Sequence, residues 1–234
     1  ANKEEGGARE GDPSSFLFLG YVSGSHVEEI LQRLLRMAVS DPSPVVRLCI
    51  VRGLDERYDP HLSLTNLLSP LFLMLEDEAL AVRSRALQIL GRLARTNPGP
   101  VLPGLRRALV DLIIELRCGG DEGGGREAAT RMVIIFLREG ALRCLARPFV
   151  PSVIDALPLA DVAPRLATAG LEALGEIATV ASDGAMADPW LRGRLISHVL
   201  ENVRDPSSSC KQRTSLWALG KIAFGCSYVV TPYL

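Results

Sequence analysis

A glycine-rich loop at residues 119–125 is the part of the sequence that most resembles a ligand-binding motif. Five glycines in seven residues could cradle a phosphate group. A phosphate-binding loop, however, follows a strand and carries a lysine and a hydroxyl residue at the start of the next helix. Here Asp121 and Glu122 place two negative charges inside the loop, and no strand pattern precedes it. The loop is therefore predicted to be a flexible connection between helices.

The histidines and the acidic pairs lack the spacing of a metal site or an acid–base site. His26, His61 and His198 are far apart, and none has a second ligand at a spacing such as HExxH. Adjacent acidic residues, as at 28–29 and 55–56, are typical of a solvated face. The GxSxG, HRD and DFG motifs are absent from the sequence. We therefore predict no catalytic, cofactor-binding or metal-binding residue in this chain.

The five cysteines are isolated from one another. They are Cys49, Cys118, Cys144, Cys210 and Cys226. Without a CxxC pair, neither a zinc site nor a disulfide framework is indicated. Isolated cysteines in apolar runs usually pack as small core residues, which we expect here, in a reducing compartment.

Two tryptophans and a serine cluster are candidates for partner binding or modification. Trp190 and Trp217 fall in predicted helices and could anchor a partner, but core packing is favoured, above all for Trp217. The serines at 207–209 follow Asp205-Pro206 and are interpreted as a polar turn, with a phosphorylation site as the alternative.

The amino-acid composition limits the class of protein to which this chain can belong. Of 234 residues, 47% are hydrophobic, and the 26 basic and 27 acidic side chains give a net charge of −1. This balance favours a folded chain with a large core and offers no basic surface for nucleic acid. The longest uncharged apolar stretch, at 67–75, is too short to span a bilayer, and no signal peptide is visible. A soluble intracellular protein without membrane insertion is expected.

Apolar residues recur three and four positions apart, which indicates helices. Residues 1–15 are polar and glycine-rich and are predicted to be a disordered linker or loop. Ser25 and Glu28 match a capping box, so a helix is expected to begin there.

A turn at residues 41–44 (DPSP) joins this first helix to a second one. Ser43 is predicted to cap the second helix, and Pro44 suits its first position, where no N–H is needed. The two helices would form an antiparallel hairpin.

The hairpin recurs along the chain. The motif at 86–91 (ALQILG) returns at 170–175 (GLEALG) and at 215–220 (SLWALG), and the helix at 126–138 fills the gap between the first two. A period of about 40 residues with two helices per unit is typical of HEAT repeats, which stack into an α-solenoid with a continuous core. We therefore predict an all-α fold over 16–234 with about five hairpins.

The repeats are predicted at approximately 25–57, 62–96, 101–138, 146–181 and 188–226, with the start of a further repeat at 228–234. The first helices of the later units are predicted at 62–75, 101–116, 149–157 and 189–203.

Equivalent arginines begin two of the second helices. Val46-Arg47 recurs as Val82-Arg83. Arg47 and Arg83 are therefore expected near the acidic residues of the hairpin turns, Asp41 and Asp77, as a ladder that sets the register of neighbouring repeats.

The last complete helix, predicted at 211–224, has no polar outer face. We expect Leu216, Leu219, Ile222 and Phe224 to leave apolar surface that a following hairpin would cover.

Several stretches resemble one family specifically. They are 53–62 (GLDERYDPHL), 89–93 (ILGRL), 97–98 (NP), 216–220 (LWALG) and 228–233 (YVVTPY). In this order they resemble the amino-terminal HEAT region of the target of rapamycin (TOR) kinases, which are serine/threonine kinases related to phosphatidylinositol 3-kinases.

The resemblance implies a non-catalytic scaffold segment of a much larger kinase. It implies binding to a raptor-type regulatory subunit and assembly into a dimeric TOR complex in nutrient and growth signalling. It also implies a cytoplasmic location, peripheral on lysosomal or vacuolar membranes as part of that complex. ATP and magnesium are implied only for the kinase domain, which is absent from these residues. The alternative is a free-standing HEAT adaptor, such as a transport receptor or a phosphatase scaffold.

Overall fold

The computed structural model describes residues 13–119, 124–159, 162–181, 188–204, 208–225 and 227–231. Within these ranges every regular element is helical. The α-helices are α1 (Pro13–Ser40), α2 (Pro44–Gly53), α3 (Asp59–Leu62), α4 (Thr65–Leu73), α5 (Leu80–Thr96), α6 (Pro98–Cys118), α7 (Gly125–Arg138), α8 (Arg143–Ala146), α9 (Val150–Ala156), α10 (Pro164–Val180), α11 (Pro189–Arg204), α12 (Ser209–Gly225) and α13 (Ser227–Val230).

The longer helices form two layers. Helices α2, α5, α7, α10 and α12 pack in sequence against one another and make the second-helix layer. Helices α1, α4, α6, α9 and α11 follow one another in the same order and make the first-helix layer. Because each hairpin contributes one helix to each layer, the chain is an all-α solenoid of stacked hairpins, as predicted.

Burial explains why the second helices are apolar on several sides. Helix α10 lies between α7 and α12, and it buries twelve of its seventeen residues. Helix α6, an internal helix of the first-helix layer, buries only six of twenty-one. The second-helix layer therefore forms the centre of the core.

The helix predictions hold for most elements but not for the predicted helix at 62–75. The helix predicted at 126–138 is α7, the one at 101–116 lies within α6, and the one at 189–203 matches α11 to within one residue. The stretch 62–75 is divided into α3, α4 and a 3-10 turn at Met74–Glu76. Leu64 has extended backbone angles, which end one helix and start the next.

The start of the first helix was predicted too late. Helix α1 begins at Pro13, so Ser25 lies within the helix and the capping-box prediction is wrong. Proline suits a first helical position because its missing N–H has no partner to lose there. Of the linker predicted at 1–15, residues 13–15 belong to α1, and the others lie outside the described residues.

The turn before α2 is closed by an aspartate and not by the predicted serine. Ser43 holds the N-cap position with Pro44 behind it, but its side chain makes no capping hydrogen bond. Instead the Asp41 carboxylate accepts the Ser43 N–H at 2.8 Å. Asp77 accepts the Ala79 N–H in the same way, also at 2.8 Å. Aspartate commonly closes turns through the N–H two residues on, and here it does so in successive hairpins.

The cysteines were expected in the core, and this prediction is wrong. Cys49, Cys118, Cys144 and Cys210 are exposed, and Cys226 lies outside the described residues. In α2 the buried side chains are Arg47 and Val51, so a residue halfway between them points to the opposite side of the helix.

Apolar surface at α12 was predicted for four side chains and is found for three of them. Leu216 and Phe224 are exposed, and Leu219 is half-buried. Ile222 is fully buried, because it faces inward with Ala218.

Candidate interaction surface

Arg47 links the first hairpin to the turn of the second. Its Nε and Nη2 atoms donate to the two carboxylate oxygens of Asp77 at 2.8 and 2.9 Å, and Nη2 also reaches Glu78 at 2.9 Å. Its Nη1 donates to the backbone carbonyl of Asp41 at 2.8 Å. The hydrogen bonds to Asp77 and Glu78 raise the pKa of Arg47 above its ordinary value. The predicted pairing with a turn aspartate is confirmed for Arg47, and both side chains of the pair are buried.

Arg83 does not repeat this arrangement. Its Nη2 atom lies 3.3 Å from the Glu115 carboxylate, near the end of α6, instead of bonding a turn aspartate. Within the described part of the chain, its buried Nε atom has no hydrogen-bond acceptor. The prediction that Arg83 pairs with a turn aspartate is therefore wrong. Each arginine does, however, contact the following repeat.

Further ion pairs join later repeats, and the sequence analysis missed them. Arg138 of α7 donates to Glu172 at 2.6 Å and to the buried Glu176 at 2.9 Å, both on α10. Lys221 of α12 lies 3.7 Å from the other Glu176 oxygen. Burial lowers the pKa of Arg138, but the hydrogen bonds to the two glutamates outweigh it and raise the pKa overall. A glutamate within the apolar motif of α10 was the available sequence signal.

Large apolar side chains are exposed on one layer of the internal hairpins. Leu73 on α4, and Val110 and Ile114 on α6, are each more than a third exposed. The terminal hairpins expose large apolar side chains on both layers, for example Trp190 on α11 and Leu216 on α12. The second helices α5, α7 and α10, all within the described ranges, expose no large apolar side chain. Surface of this kind is what protein partners cover, so the first-helix layer is the candidate interaction surface.

A cleft opens in this layer between α4 and α6. Its volume is about 630 Å³. Walls come from α4 and α6, while Leu87 of α5 and Met132 and Phe136 of α7 form the floor. At Gly104 an added Cβ atom would lie 2.4 Å from the Phe72 ring, so the close approach of the two helices at this point requires glycine. The rest of the gap is left open.

The two tryptophans differ in their surroundings. Trp190 is 57% exposed, which contradicts the expected core packing, and the Arg194 guanidinium lies over its ring at 4.8 Å. Arg194 also pairs with Asp155 of α9. Trp217 packs against Gly175 of α10 but stays partly exposed. Tryptophan and arginine are enriched at binding hot spots, so the Trp190 cluster extends the candidate surface.

The residues first considered for chemistry are dispersed. His61 lies 3.6 Å from Glu28, His198 lies 3.8 Å from Glu201, and His26 is exposed. The described residues contain no group of three or more potential metal ligands. None of the helices in the described ranges is long and apolar enough to cross a bilayer.

The glycine loop and the serine cluster are described only in part. Gly124 has φ +69°, a left-handed conformation that glycine adopts freely, immediately before α7; residues 120–123 lie outside the described residues. Ser208 accepts the Lys211 N–H at 3.3 Å at the start of α12, as expected of a polar turn; residue 207 lies outside the described residues.

Stacked helical hairpins with charged links between repeats define the class of this protein, a helical-repeat α-solenoid. No family model matches the chain. It is 33% identical over 210 residues to the serine/threonine-protein kinase tor1 of Schizosaccharomyces pombe, which covers 89% of this chain and 9% of that protein. TOR2 of Saccharomyces cerevisiae is 30% identical, and the alignment covers 89% of this chain and 8% of that protein. The protein mTor of Drosophila melanogaster is also 30% identical, over 88% of this chain and 8% of that protein. The chain is thus a homologue of one segment of the TOR kinases, and the sequence-based recognition is confirmed.

The chain spans less than a tenth of the length of these relatives. Among solved structures, a computationally designed armadillo repeat protein for modular peptide recognition aligns over 86% of both chains, with a TM-score of 0.46 and 16% identity.

Proposed function

We propose that this chain is a non-catalytic scaffold segment of a TOR-type serine/threonine kinase. Its first-helix layer would bind a raptor-type regulatory subunit and contribute to a dimeric complex in nutrient and growth signalling. We place this role in the cytoplasm, on the periphery of lysosomal or vacuolar membranes when the parent complex is there. ATP and magnesium would belong to the kinase domain of the parent protein, because no kinase motif occurs in these residues.

One observation carries the proposal: among the described residues, two of the three internal repeats expose large apolar side chains on their first helices, α4 and α6, and none exposes one on its second helix. A helix exposed on one side needs no large apolar residue there unless another surface covers it. Similarity to TOR kinases over nearly nine tenths of the chain favours a scaffold within a kinase over a free-standing adaptor.

The test is the affinity of the 234-residue chain for a purified raptor-type regulatory subunit, measured by biolayer interferometry. Ile114→Arg and Trp190→Ala alter the first-helix layer outside the cleft, and each should weaken binding about tenfold or more, as at a hot spot. Gln88→Arg introduces the same charge as Ile114→Arg at an exposed site on α5, and it should leave the affinity unchanged.

Equal losses of affinity in Gln88→Arg and Ile114→Arg would contradict the assignment of the first-helix layer as the binding surface. Failure of the unaltered chain to bind the regulatory subunit would contradict the proposed partner.

A further inference from the structure

We propose that the cleft between α4 and α6 is a docking groove for an amphipathic helix of a partner protein. Apolar side chains of that helix would enter the cleft, and lysine or arginine side chains in its last turn would face Glu76 and Asp111. This inference rests on the proposed function, to which it adds a defined site and the chemistry of the partner.

The size and lining of the cleft suit side chains of a protein. A volume of about 630 Å³ lies within the range of pre-formed binding pockets, about 300–1,000 Å³. Its floor is apolar and fully buried, formed by Leu87, Met132 and Phe136. Bulky apolar side chains placed there would replace solvent with dispersion contacts and apolar burial.

The apolar surface continues beyond the cleft, which favours a helix as the occupant. Leu73 stands on the α4 rim and is 55% exposed. Val110 and Ile114, one helical turn apart, continue the apolar surface along α6 outside the cleft. A helix laid into a groove presents anchors three, four and seven residues apart, and so covers a floor and a rim together.

Charges on the two walls fix the chemistry of the partner. Glu76 follows α4 and Asp111 lies on α6, and both line the cleft at an exposed position. Among the described residues neither has an ion-pair or hydrogen-bond partner, whereas Glu115 is already engaged by Arg83. A cation between Glu76 and Asp111 would make charge-assisted hydrogen bonds to both walls.

Two arginines fix the direction of the docked helix. The half-buried guanidinium of Arg83 also lines the cleft. Its positive charge would attract the last carbonyl groups of a helix, which carry a partial negative charge. Arg107 lies one turn before Asp111 and would repel a cation there but attract a carboxylate. The carboxyl end of the partner helix, which also favours basic residues, would therefore point towards Arg83.

The experiment is a selection from a displayed library of alanine-rich helices of about four turns, with the exposed positions randomised. The full 234-residue chain is the target. We expect enrichment of helices with apolar residues at helical spacing and with lysine or arginine in the last turn. Affinities of selected helices are then measured by fluorescence anisotropy against variants of the chain.

Ser69→Trp would fill the cleft from its α4 wall, and it should weaken binding about tenfold or more. Asn66→Trp adds the same side chain on the same helix, at an exposed site outside the cleft lining, and should leave affinity within about twofold. Circular dichroism checks that both variants remain folded. The double variant Glu76→Lys/Asp111→Lys should instead select helices with acidic residues in the last turn, a result that does not depend on Ser69→Trp.

Three results would overturn the groove: no enriched helix, enriched helices that bind Ser69→Trp as well as the unaltered chain, or acidic helices selected by the unaltered chain. If the regulatory subunit still binds through Ile114 and Trp190 in any of these cases, the proposed function stands and only the groove is lost. If cleft-dependent helices are selected but the regulatory subunit does not bind, the proposed partner fails and the groove stands.

Discussion

Helices α10 and α12 carry the same motif but differ in how much of it they bury. Leu171 and Leu216 are equivalent, yet Leu171 is 1% exposed and Leu216 is 57% exposed. A Cβ atom added at Gly175 would meet the Trp217 ring, while one added at Gly220 would have no neighbouring atom within 4 Å. Helix α10 has a second helix on each side, whereas among the described residues α12 has a second helix, α10, on one side only. A repeat motif therefore specifies a surface for neighbours, and its energetic value depends on whether a neighbour is present.

The pair Leu171→Ala and Leu216→Ala tests this comparison most strongly. Truncating the buried Leu171 removes apolar contacts and leaves a cavity, so the free energy of unfolding should fall by about 2–5 kcal/mol. Leu216→Ala removes the same atoms from an exposed site and should change it by about 0.5 kcal/mol or less. Urea denaturation of the 234-residue chain, followed by circular dichroism, measures both. Similar losses of unfolding free energy in the two variants would mean that another surface covers Leu216 of α12 in solution.

Amide hydrogen exchange should show the next largest contrast. Amides in α12 are expected to exchange about a hundredfold faster than those in α5, a difference of roughly 2.7 kcal/mol in opening free energy, because α12 is supported on one side. Mass spectrometry of the monomeric chain measures this contrast.

Joining a further helical hairpin to the end of α12 should slow exchange in α12 and leave exchange in α5 unchanged. Equal protection of α5 and α12 in the isolated monomer would show that α12 needs no neighbour.

Gly175→Ala and Gly220→Ala should change the free energy of unfolding in opposite directions. A Cβ atom at Gly175 would lie 2.8 Å from the Trp217 ring and 3.1 Å from the Ala218 backbone, so the helices must separate at a cost of about 1–3 kcal/mol. Gly220 lies within α12 beside open space, and alanine there should stabilise the chain by about 0.5–1 kcal/mol through helix propensity. Thermal unfolding of the two variants measures whether each substitution raises or lowers stability. A loss of stability in Gly220→Ala would reveal a contact on that side of α12.

Features repeated within the sequence could be predicted, because each copy supports the others. The hairpins follow from apolar spacing and from turns such as 41–44. The position of Arg47 beside a turn aspartate follows from the recurrence of aspartate turns and valine–arginine pairs, although the same reasoning fails at Arg83. The target of rapamycin relationship follows from motifs such as 53–62.

Features that depend on the approach of particular helices could not be predicted. The partner of Arg83 depends on where α6 ends, and the cleft depends on how Phe72 and Gly104 set the distance between α4 and α6. Cysteine exposure depends on rotation within each helix, which a run of apolar residues does not reveal. The early start of α1 was missed because its first residues are rich in serine and glycine.

The smallest expected effect concerns the charged position that follows the motif glycine. Glu176 in α10 and Lys221 in α12 are equivalent residues and also face each other at 3.7 Å, while Arg138 holds Glu176 from the other side. Glu176→Gln keeps the shape and an acceptor for Arg138 but removes the charge, so it should lower the free energy of unfolding by about 1–2 kcal/mol. Glu172→Gln removes the charge of a half-exposed partner of the same arginine and should cost about 0.5 kcal/mol or less. Urea denaturation at low and high salt measures both variants, and the loss in Glu176→Gln should persist at high salt because the site is buried. Equal losses of unfolding free energy in the two variants would mean that a buried charge flanked by two repeats stabilises the fold no more than a charge at the surface. The greater stability of α10 relative to α12 would then be due to apolar packing alone.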